Sequence, residues 1–528
     1  MLLLHEKYKP VVRVLLKAGC CCRCVLRFCC VGQQDPYKLP YEELVAELDQ
    51  FASITVNITS DKPAEDVGPP CKKAKLEETK QGVEETQQNG EMQPHLENAD
   101  SGSFKRHLGT CVVCLGILQQ CCQKEFADQV CEKVNSAGYE FDSVAFSVSL
   151  PPQFSVREHA LWLFIKQEVG QQLLKKEEIV RLKDVYKWII HPLLSEELGV
   201  PMDSKSLFTV SVVFAHPKTD GDCHFLATFC PDCFRPAKNK QSVFTRLAVV
   251  KALEKIKDED FCKHFPCPPS SSEMGCVTEE IQCVHAPVYI AGRYNKYSRT
   301  LPQTPWIIDG ERKMESSVEE LISEHLMPAF KVSHFNFSSS GREDVDVRTL
   351  GKGRPFAIEL VSPHRASFTQ EEIKALQQKI NQSDKIKVRD LQMVTREAVA
   401  HMKKGEEEKT KSYSALIWTE RAIQENDIQF LNELKELKIF QKTPLRVLHR
   451  RPLAVRTRLI HTMRTEYIDQ HHFRFYLKTQ AGTYIKEFVH GDFGRTKPNL
   501  GLLMKTTADI LELDVESVDV DWPPALDN

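Results

Sequence analysis

A polar stretch near the N-terminus most restricts how this chain can fold. Residues 59–105 are rich in Pro, Gln, Glu and Asn and contain almost no aliphatic residues. Such a segment buries too little apolar surface to offset the entropy lost on ordering, so we predict a disordered linker. Within it, the cluster Lys72–Lys75 fits either a nuclear-import signal or a few solvated lysines.

The length of 528 residues exceeds what one hydrophobic core accommodates, so we predict two or three domains. Lys and Arg total 70 against 73 for Asp and Glu, so any nucleic-acid binder of this composition must separate basic from acidic surfaces. No apolar stretch is long enough to span a bilayer, and the first residues form a poor signal peptide. We therefore expect no membrane association and a reducing compartment, where the 19 cysteines are thiols or metal ligands.

Two Cys-x-x-Cys pairs, Cys21/Cys24 and Cys111/Cys114, lie on either side of the linker. Two such pairs complete a tetrahedral four-thiolate site of the kind that holds structural zinc. This site would fasten the N-terminal region to the part of the chain that follows the linker. The pair Cys230/Cys233 and the neighbouring cysteines leave other ligand sets open, as does an interpretation as buried, reduced thiols.

Hydrophobic periodicity predicts both helices and strands. Helices are expected at 40–51 and at 155–169, the second opening with a capping box formed by Ser155 and Glu158. Residues 143–150 and 208–214 have the pattern of buried strands. Strand–helix alternation resumes near Val288, so the predicted fold class is α+β.

Three segments carry candidate chemistry. Gly341-Arg342-Glu343-Asp344 places a carboxylate beside a guanidinium in a serine-rich loop. Gly482-Thr483-Tyr484-Ile485-Lys486 follows a predicted strand at a glycine turn, and from there Lys486 could keep a carboxylate on another loop ionised. Tyr413 lies near the polar end of a predicted strand, where an aromatic ring can stack on a flipped base.

Together these segments resemble the motifs of pseudouridine synthases. The Gly-Arg-x-Asp motif of that family supplies the nucleophile, which implies Asp344 here, although Asp346 competes for the role. The Gly-Thr-Tyr-Ile-basic motif implies that Lys486 pairs with Asp344, and Tyr413 matches the base-stacking tyrosine. The resemblance implies substrate contacts by Arg342, Tyr413, Tyr484 and Ile485.

From about residue 290 onward, and in its cysteine pairs, the chain is similar to the archaeal and eukaryotic tRNA pseudouridine synthases that act on T-loop uridines 54 and 55. The resemblance implies a mixed-sheet catalytic domain at 290–528, with a forefinger loop at 304–317 and a thumb loop at 441–456. It also implies a THUMP-type RNA-binding domain at 106–289, preceded by a cysteine-rich segment at 1–58 and fastened by zinc. The reaction needs no organic cofactor.

A basic stripe runs from Lys442 to Arg464, with one lysine, six arginines and no acidic residue. A solvated helix face would intersperse acids, so this stripe favours phosphate contact. A second basic and aromatic segment, Arg293–Arg299, precedes Trp306 and suits unpaired bases and backbone together. The predicted RNA contacts are Trp306, Arg446, Arg450, Arg451 and Arg456.

The expected partner is the T-arm of tRNA, with other structured RNAs as further candidates. The expected location is the nucleus and cytoplasm, with the mitochondrion as a further compartment.

Two other functions also fit parts of the sequence. A THUMP-type domain also occurs in tRNA methyltransferases and thiouridine synthetases, but Gly351–Pro355 lacks the spacing of their nucleotide-binding loops, and the run after it has a strand pattern. A non-catalytic RNA-binding adaptor would bind RNA equally well with or without Asp344.

Overall fold

The structure is a computed structural model that describes residues 4–53, 109–170, 173–235, 242–403 and 409–526. The predicted linker, with its lysine cluster, lies outside these residues. Among the helices of the described ranges, none combines the length and the apolar character that a membrane span requires.

The chain forms two compact units. The first comprises Met1–Gln129, Val148–Glu197 and Val212–Glu280, and the second comprises Val130–Ser147, Leu198–Ser211 and Ile281–Asn528. This division is discontinuous in the sequence, whereas the sequence analysis predicts continuous segments, with the accessory domain at 106–289 and the catalytic domain at 290–528. The reason is that short pieces around residues 130–147 and 198–211 group with the C-terminal unit.

The part of the chain before residue 288 is mostly helical. Its helices are α1 Lys9–Lys17, α2 Cys22–Phe28, α3 Asp35–Lys38, α4 Tyr41–Ser53, α5 Lys124–Ala137, α6 Gln153–Val169, α7 Leu182–Leu198, α8 Phe225–Phe229, α9 Arg246–Leu253 and α10 Asp258–His264. Its strands are β1 Ala145–Ser149, β2 Phe208–Ala215 and β3 Val277–His285, which form a three-stranded sheet in that order. In the first unit, α6 packs with α8, α9 and α10 around Val156, Leu163, Val249 and Phe261.

The helix predicted at 40–51 is confirmed as α4, and both predicted strands are confirmed as β1 and β2. The capping box at Ser155 is wrong. Helix α6 begins at Gln153, two residues earlier, because the prolines before it are well suited to a helix start. Glu158 lies inside the helix and forms an ion pair with the buried Arg27.

The part from residue 288 onward is built on one large sheet. Its strands are β4 Val288–Lys296, β5 Ile307–Ile308, β6 Glu311–Arg312, β7 His334–Ser339, β8 Arg348–Val361, β9 Ile386–Val394, β10 Thr410–Thr419, β11 Lys435–Lys442, β12 Val455–Asp469, β13 His472–Gln480, β14 Thr496–Lys497 and β15 Ala508–Val518. Its helices are α11 Val318–Phe330, α12 Gln370–Ile380, α13 Arg396–Lys403, α14 Glu425–Glu433, α15 Ile485–His490 and α16 Leu500–Met504.

The large sheet has ten strands in the order β14-β11-β12-β13-β10-β15-β8-β4-β9, with β7 paired to β8. Neighbouring strands are antiparallel except β15 and β8, which run parallel where Asp514 lies opposite Arg348. The Arg348 guanidinium donates two hydrogen bonds to the Asp514 carboxylate at this junction. The predicted α+β class with a mixed sheet is therefore confirmed.

Packing on the sheet explains why its strands form here. Strand β13 alternates buried and less buried residues, as the two-residue period of a strand with one packed face requires. Phe473, Phe475 and Leu477 on that face pack in a core that also contains Phe488 of α15. Helix α15 is thereby held at the end of β13, where its first turn faces the loop before β8.

Candidate active site

The second unit contains a cavity of about 730 Å³. It is lined by the loop before β8, by β10 and β15, by the loop between β11 and β12, and by the start of α15. Ten of the residues singled out in the sequence analysis line it: Arg342, Asp344, Tyr413, Arg446, Arg450, Arg451, Arg456, Tyr484, Ile485 and Lys486. Trp306 lies instead beside the β5–β6 hairpin and is 40% exposed.

The cavity wall is strongly basic. Its cationic residues are Arg342, Arg354, Lys411, Arg446, Arg450, Arg451, Arg456, Arg458 and Lys486, against the acids Glu343 and Asp344. Desolvation, followed by repulsion from Arg342, lowers the pKa of Arg450. Such crowding of like charges is relieved by anions, and the phosphates of a nucleic acid are suitable ones.

Buried contacts hold the Gly-Arg-x-Asp loop from beneath. The Glu343 side chain is fully buried and lies 2.7 Å from the Arg354 guanidinium, which itself donates to the Ser340 carbonyl at 2.7 Å. The Tyr294 hydroxyl donates to Glu343, and Gln303 donates to the Gly341 carbonyl. Glu343, the variable residue of the motif, therefore has a structural role. This role was not predicted from the sequence because it depends on partners that are distant along the chain.

The prediction that residues 293–299 contact RNA is wrong for most of the segment. Arg293, Tyr294 and Lys296 lie in β4 and are buried. Arg293 donates to backbone carbonyls, and the Lys296 ammonium donates to the carbonyls of Asp344 at 3.1 Å and Val345 at 2.7 Å. Burial lowers the pKa of Lys296 to about 8. Lys296 thus supports the active-site loop, and Arg293 fastens the chain segment after β15, instead of binding phosphates.

Two positively charged side chains, those of Arg446 and Lys486, lie next to the Asp344 carboxylate. The Arg446 guanidinium donates to both carboxylate oxygens, at 3.0 Å and 2.8 Å. The Lys486 ammonium lies 3.7 Å from Asp344 but only 2.7 Å from Asp346. The expected Lys486–Asp344 pair is therefore the weaker of the two contacts, because Arg446 approaches from the thumb loop and occupies both oxygens.

The two carboxylates differ in their main partner, which is Lys486 for Asp346 and Arg446 for Asp344. Burial works against its ionisation, but the hydrogen bond and the charge of Lys486 lower the pKa of Asp346 overall. Asp346 does not line the cavity, whereas Asp344 does. Between the two carboxylates, the geometry therefore favours Asp344 as the one that meets a ligand.

A buried carboxylate holds Arg446 in place. Glu487, whose side chain is 3% exposed, accepts a hydrogen bond of 2.7 Å from the Arg446 Nε, while the Arg446 Nη1 contacts Asp344. Glu487 follows Lys486 on α15. The first turn of this helix therefore supplies the Lys486 ammonium to the cavity wall and also the carboxylate that holds Arg446. No motif in the sequence indicated this arrangement, because Arg446 and Glu487 are 41 residues apart.

Replacing Glu487 with glutamine is expected to lower kcat by about tenfold to a hundredfold, because Arg446 and with it Asp344 would lose their alignment. Single-turnover rates on an RNA substrate, with the dissociation constant measured in parallel, check this. The matched control is Asp222→Asn in the first unit, which removes the carboxylate partner of the buried Arg157, and neither residue lines the cavity. Equal loss of rate in both variants, in step with stability, would contradict a positioning role.

A β-bulge directs Tyr413 into the cavity. Strand β10 pairs with β15, and the register shifts between Ser412 and Tyr413. Bulges of this kind re-aim side chains next to active sites. Burial raises the pKa of Tyr413, and nearby Arg354 opposes this only in part, so the phenol is protonated near neutral pH. It can donate a hydrogen bond and stack on a base.

The predicted strand and the glycine turn before Lys486 are confirmed, since β13 ends at Gln480 and α15 begins at Ile485. Gly482 has a φ of +77°, and a Cβ at this position would lie 3.2 Å from the Arg458 guanidinium. Only glycine combines this backbone conformation with so close an approach. Gln441 donates to the Tyr484 carbonyl and accepts from the Tyr484 amide, which fixes the turn to β11.

The basic stripe is divided between the loop that joins β11 to β12, which carries Arg446, Arg450 and Arg451, and strand β12 itself. Five of the six arginines of the stripe line the cavity, whereas Arg464 stacks over the ring of Tyr476 at 3.9 Å. Arg456 donates to the Thr443 hydroxyl across the base of the loop. The tip of the loop is a tight turn, since Arg450 and Arg451 both donate backbone hydrogen bonds to the Val447 carbonyl.

The first unit contains a cluster of four buried thiols. Cys21, Cys24, Cys111 and Cys114 have sulfur atoms that all lie within 4.8 Å of one another. The Cys21 and Cys114 sulfurs are 3.7 Å apart, close to the edge of about 3.8 Å that a tetrahedron with zinc–sulfur bonds of about 2.3 Å requires. The competing pair Cys230/Cys233 does not join this group. The four residues thus fit a structural zinc ion.

Buried arginines surround these thiols. The Arg27 guanidinium donates to the Cys24 sulfur at 3.6 Å and to the Val180 carbonyl. Arg23 donates to the Leu118 carbonyl at 2.9 Å, a few residues after Cys114. Such outer contacts orient thiolate ligands and offset their negative charge.

Comparisons with known proteins agree across the whole chain. A family model described as "Pus10, C-terminal" matches residues 289–519, and one described as "Eukaryotic Pus10, N-terminal" matches residues 111–283. A Homo sapiens protein named tRNA pseudouridine synthase Pus10 is 66% identical over 99% of both chains. The Xenopus laevis protein of that name is 66% identical over 100% of both.

More distant similarities cover less of the chain. The Thermofilum pendens protein named tRNA pseudouridine synthase Pus10 is 38% identical over 44% of this chain and 53% of its own. A chain of a solved Cbf5-Nop10-Gar1 complex matches 43% of this chain and 48% of its own, at 17% identity and a TM-score of 0.24. That structural likeness is too low to support an inference.

Proposed function

This chain belongs to the Pus10 family of tRNA pseudouridine synthases, and we propose that it isomerises uridine 54, uridine 55 or both in the T-loop of tRNA, with Asp344 as the nucleophile. Its action on tRNA as a pseudouridine synthase follows from relatives that match it over nearly its whole length. The uridine position, the nucleophile and the RNA-binding residues are the new part of the proposal.

The observation that carries this proposal is the shared cavity of Asp344, Tyr413 and Lys486 inside a basic wall. Pseudouridine formation breaks the N1–C1′ bond of uridine, turns the base and joins it again through C5. A carboxylate beside a stacking ring provides a nucleophile and a surface on which the base can be held. No group passes to a second molecule, so the reaction requires no organic cofactor.

Several routes use the same residues. Asp344 attacks C1′ or C6 of the uridine, or assists a route through a glycal. In each, Arg446 and Lys486 neutralise the carboxylate before substrate enters. Displacing Arg446 toward an RNA phosphate would free the oxygens of Asp344 for reaction. Tyr484 and Ile485, at the start of α15, line the wall against which the base would rest.

The arginines of the thumb loop and Arg342 surround the cavity and suit the phosphates of a T-arm. Trp306 beside the β5–β6 hairpin adds a partly exposed aromatic ring for an unpaired base. Within the proposal, residues 106–289 form an accessory RNA-binding domain of THUMP type, and the four thiols of Cys21, Cys24, Cys111 and Cys114 hold a structural zinc ion. Other structured RNAs are candidate ligands of the same surfaces. The proposed location is the nucleus and cytoplasm, with the mitochondrion as a further compartment.

The experiment measures tritium release from tRNA transcripts labelled at uridine C5, because forming pseudouridine must eject the C5 hydrogen. Transcripts in which cytidine replaces uridine 54, uridine 55 or both are compared with the unaltered tRNA. We expect release to fall with one or both single replacements and to vanish with the double one. Full release from the doubly replaced transcript would place the target uridine outside the T-loop. Binding without release from any transcript would favour the adaptor function.

A further inference from the structure

Phe493 is exposed beside the thumb loop. It lies in the turn between α15 and β14, and 95% of its surface is exposed, the largest fraction among the described large hydrophobic residues. An isolated aromatic ring in water gains nothing for folding, because its apolar surface is left hydrated. The ring is therefore fully available to a ligand that would cover it.

The backbone of this turn is strained. Gly491, Asp492, Phe493 and Gly494 have φ values of +79°, +44°, +54° and +81°, so four consecutive residues are left-handed. Left-handed conformations cost energy for residues with a Cβ and normally occur singly. A bulky residue held in this way marks a site where strain serves a function.

Hydrogen bonds fix the turn to the start of the thumb loop. The Asp492 carboxylate accepts from the Leu445 amide at 3.3 Å, and Arg495 donates to the Thr443 carbonyl at 2.6 Å. The Lys442 amide donates to the Arg495 carbonyl at 2.9 Å. The residue after Leu445 is Arg446, which contacts Asp344. The turn that carries Phe493 is therefore bonded to the same loop that supplies a cation to the cavity.

The segments next to this turn are basic. Arg446, Arg450 and Arg451 follow Leu445 along the thumb loop and line the cavity, and the Lys497 side chain lies 3.9 Å from where a Cβ of Gly494 would be. The nearby acid, Asp492, is already paired with Arg495 at 3.5 Å. Aromatic rings among cations are typical of sites that bind unpaired bases together with their phosphates.

We propose that the Phe493 ring stacks on an unpaired nucleobase of the tRNA substrate next to the catalytic cavity. This inference rests on the proposed function for the identity of the RNA. The rigid turn holds the ring ready, so the RNA does not have to order it on binding.

Equilibrium binding of an unmodified tRNA transcript to the full-length chain tests the inference. Phe493→Ala and Phe493→Leu should weaken binding by about 5- to 150-fold, and Phe493→Trp should restore it, because stacking needs a ring. The salt dependence should stay unchanged in all three variants, whereas Arg450→Ala should reduce its slope by about one. The matched control is Ile468→Ala, a half-exposed apolar residue at the end of the β12–β13 hairpin.

Phe493→Gly separates a binding role from a folding role. Glycine relieves the left-handed strain, so Tm should rise while tRNA binding weakens as in Phe493→Ala. Unchanged binding by the alanine variant would overturn the proposal and assign the ring to a protein partner or a second copy of the chain. A lower Tm for the glycine variant, with weaker binding in proportion, would overturn it in favour of a structural ring. Because binding does not depend on turnover, failure of the proposed reaction would be recognised separately.

Discussion

Replacing Asp344 with asparagine is expected to lower tritium release from C5-labelled tRNA by roughly 10⁴-fold or more, because the nucleophile itself is lost. Asparagine has nearly the same shape, and the loop is held by Glu343, Arg354 and Lys296 independently of the carboxylate. The fold should therefore survive. Binding of tRNA should be retained or slightly strengthened, since one negative charge leaves a basic cavity.

The matched control for this experiment is Asp346→Asn. Asp346 carries the closer contact to Lys486, so its loss releases that lysine without removing the carboxylate in the cavity. We expect this variant to retain measurable release, reduced far less than that of Asp344→Asn. Release by Asp344→Asn together with none by Asp346→Asn would move the nucleophile to Asp346 and would contradict our assignment.

Short motifs allowed the candidate site to be predicted because its residues lie in three compact segments. Gly482 is an example, since its left-handed conformation can be anticipated from a glycine between a strand and a helix. The contacts of Glu343 and Glu487 could not be predicted in this way. Each depends on a partner that the sheet brings near, Arg354 in one case and Arg446 in the other.

The main error in the prediction from sequence was to assign the basic residues of β4 to RNA contact when they are buried. Arg293 and Lys296 lie between aromatic residues, which also fits an RNA-binding loop. In the structure, both residues belong to β4, a strand paired on both sides, and donate to backbone carbonyls. Composition cannot distinguish a buried strand of this kind from an RNA-binding loop, because a long cationic side chain can donate hydrogen bonds to backbone carbonyls as well as to phosphates. The arginines of the thumb loop differ only in that they face a cavity.

The N-terminal region shows a second limit of sequence patterns. The cysteine pairs predicted one cluster although 86 residues separate Cys24 from Cys111, because Cys-x-x-Cys spacing reports ligand geometry directly. The start of α6 was missed because Pro152 and the ion pair of Glu158 with Arg27 outweighed the local capping pattern.

Replacing Cys24 with alanine is expected to remove the zinc ion and to lower the free energy of unfolding by more than about 4 kcal/mol, because binding energy of a structural metal is folding energy. We expect about one zinc ion per chain for the unaltered protein by elemental analysis. The matched control is Cys223→Ala, a thiol just as fully buried as Cys24 but outside the four-thiol cluster.

The control should retain its zinc and lose only roughly 1 kcal/mol, as expected for a small buried side chain. Chelation of the unaltered protein should reproduce the Cys24→Ala result. In both cases tRNA binding should weaken, because the unit that carries the cluster loses its order while the catalytic cavity keeps its residues. Equal stability of the two alanine variants, with metal content near zero throughout, would mean that the four thiols are reduced, buried side chains packed without an ion.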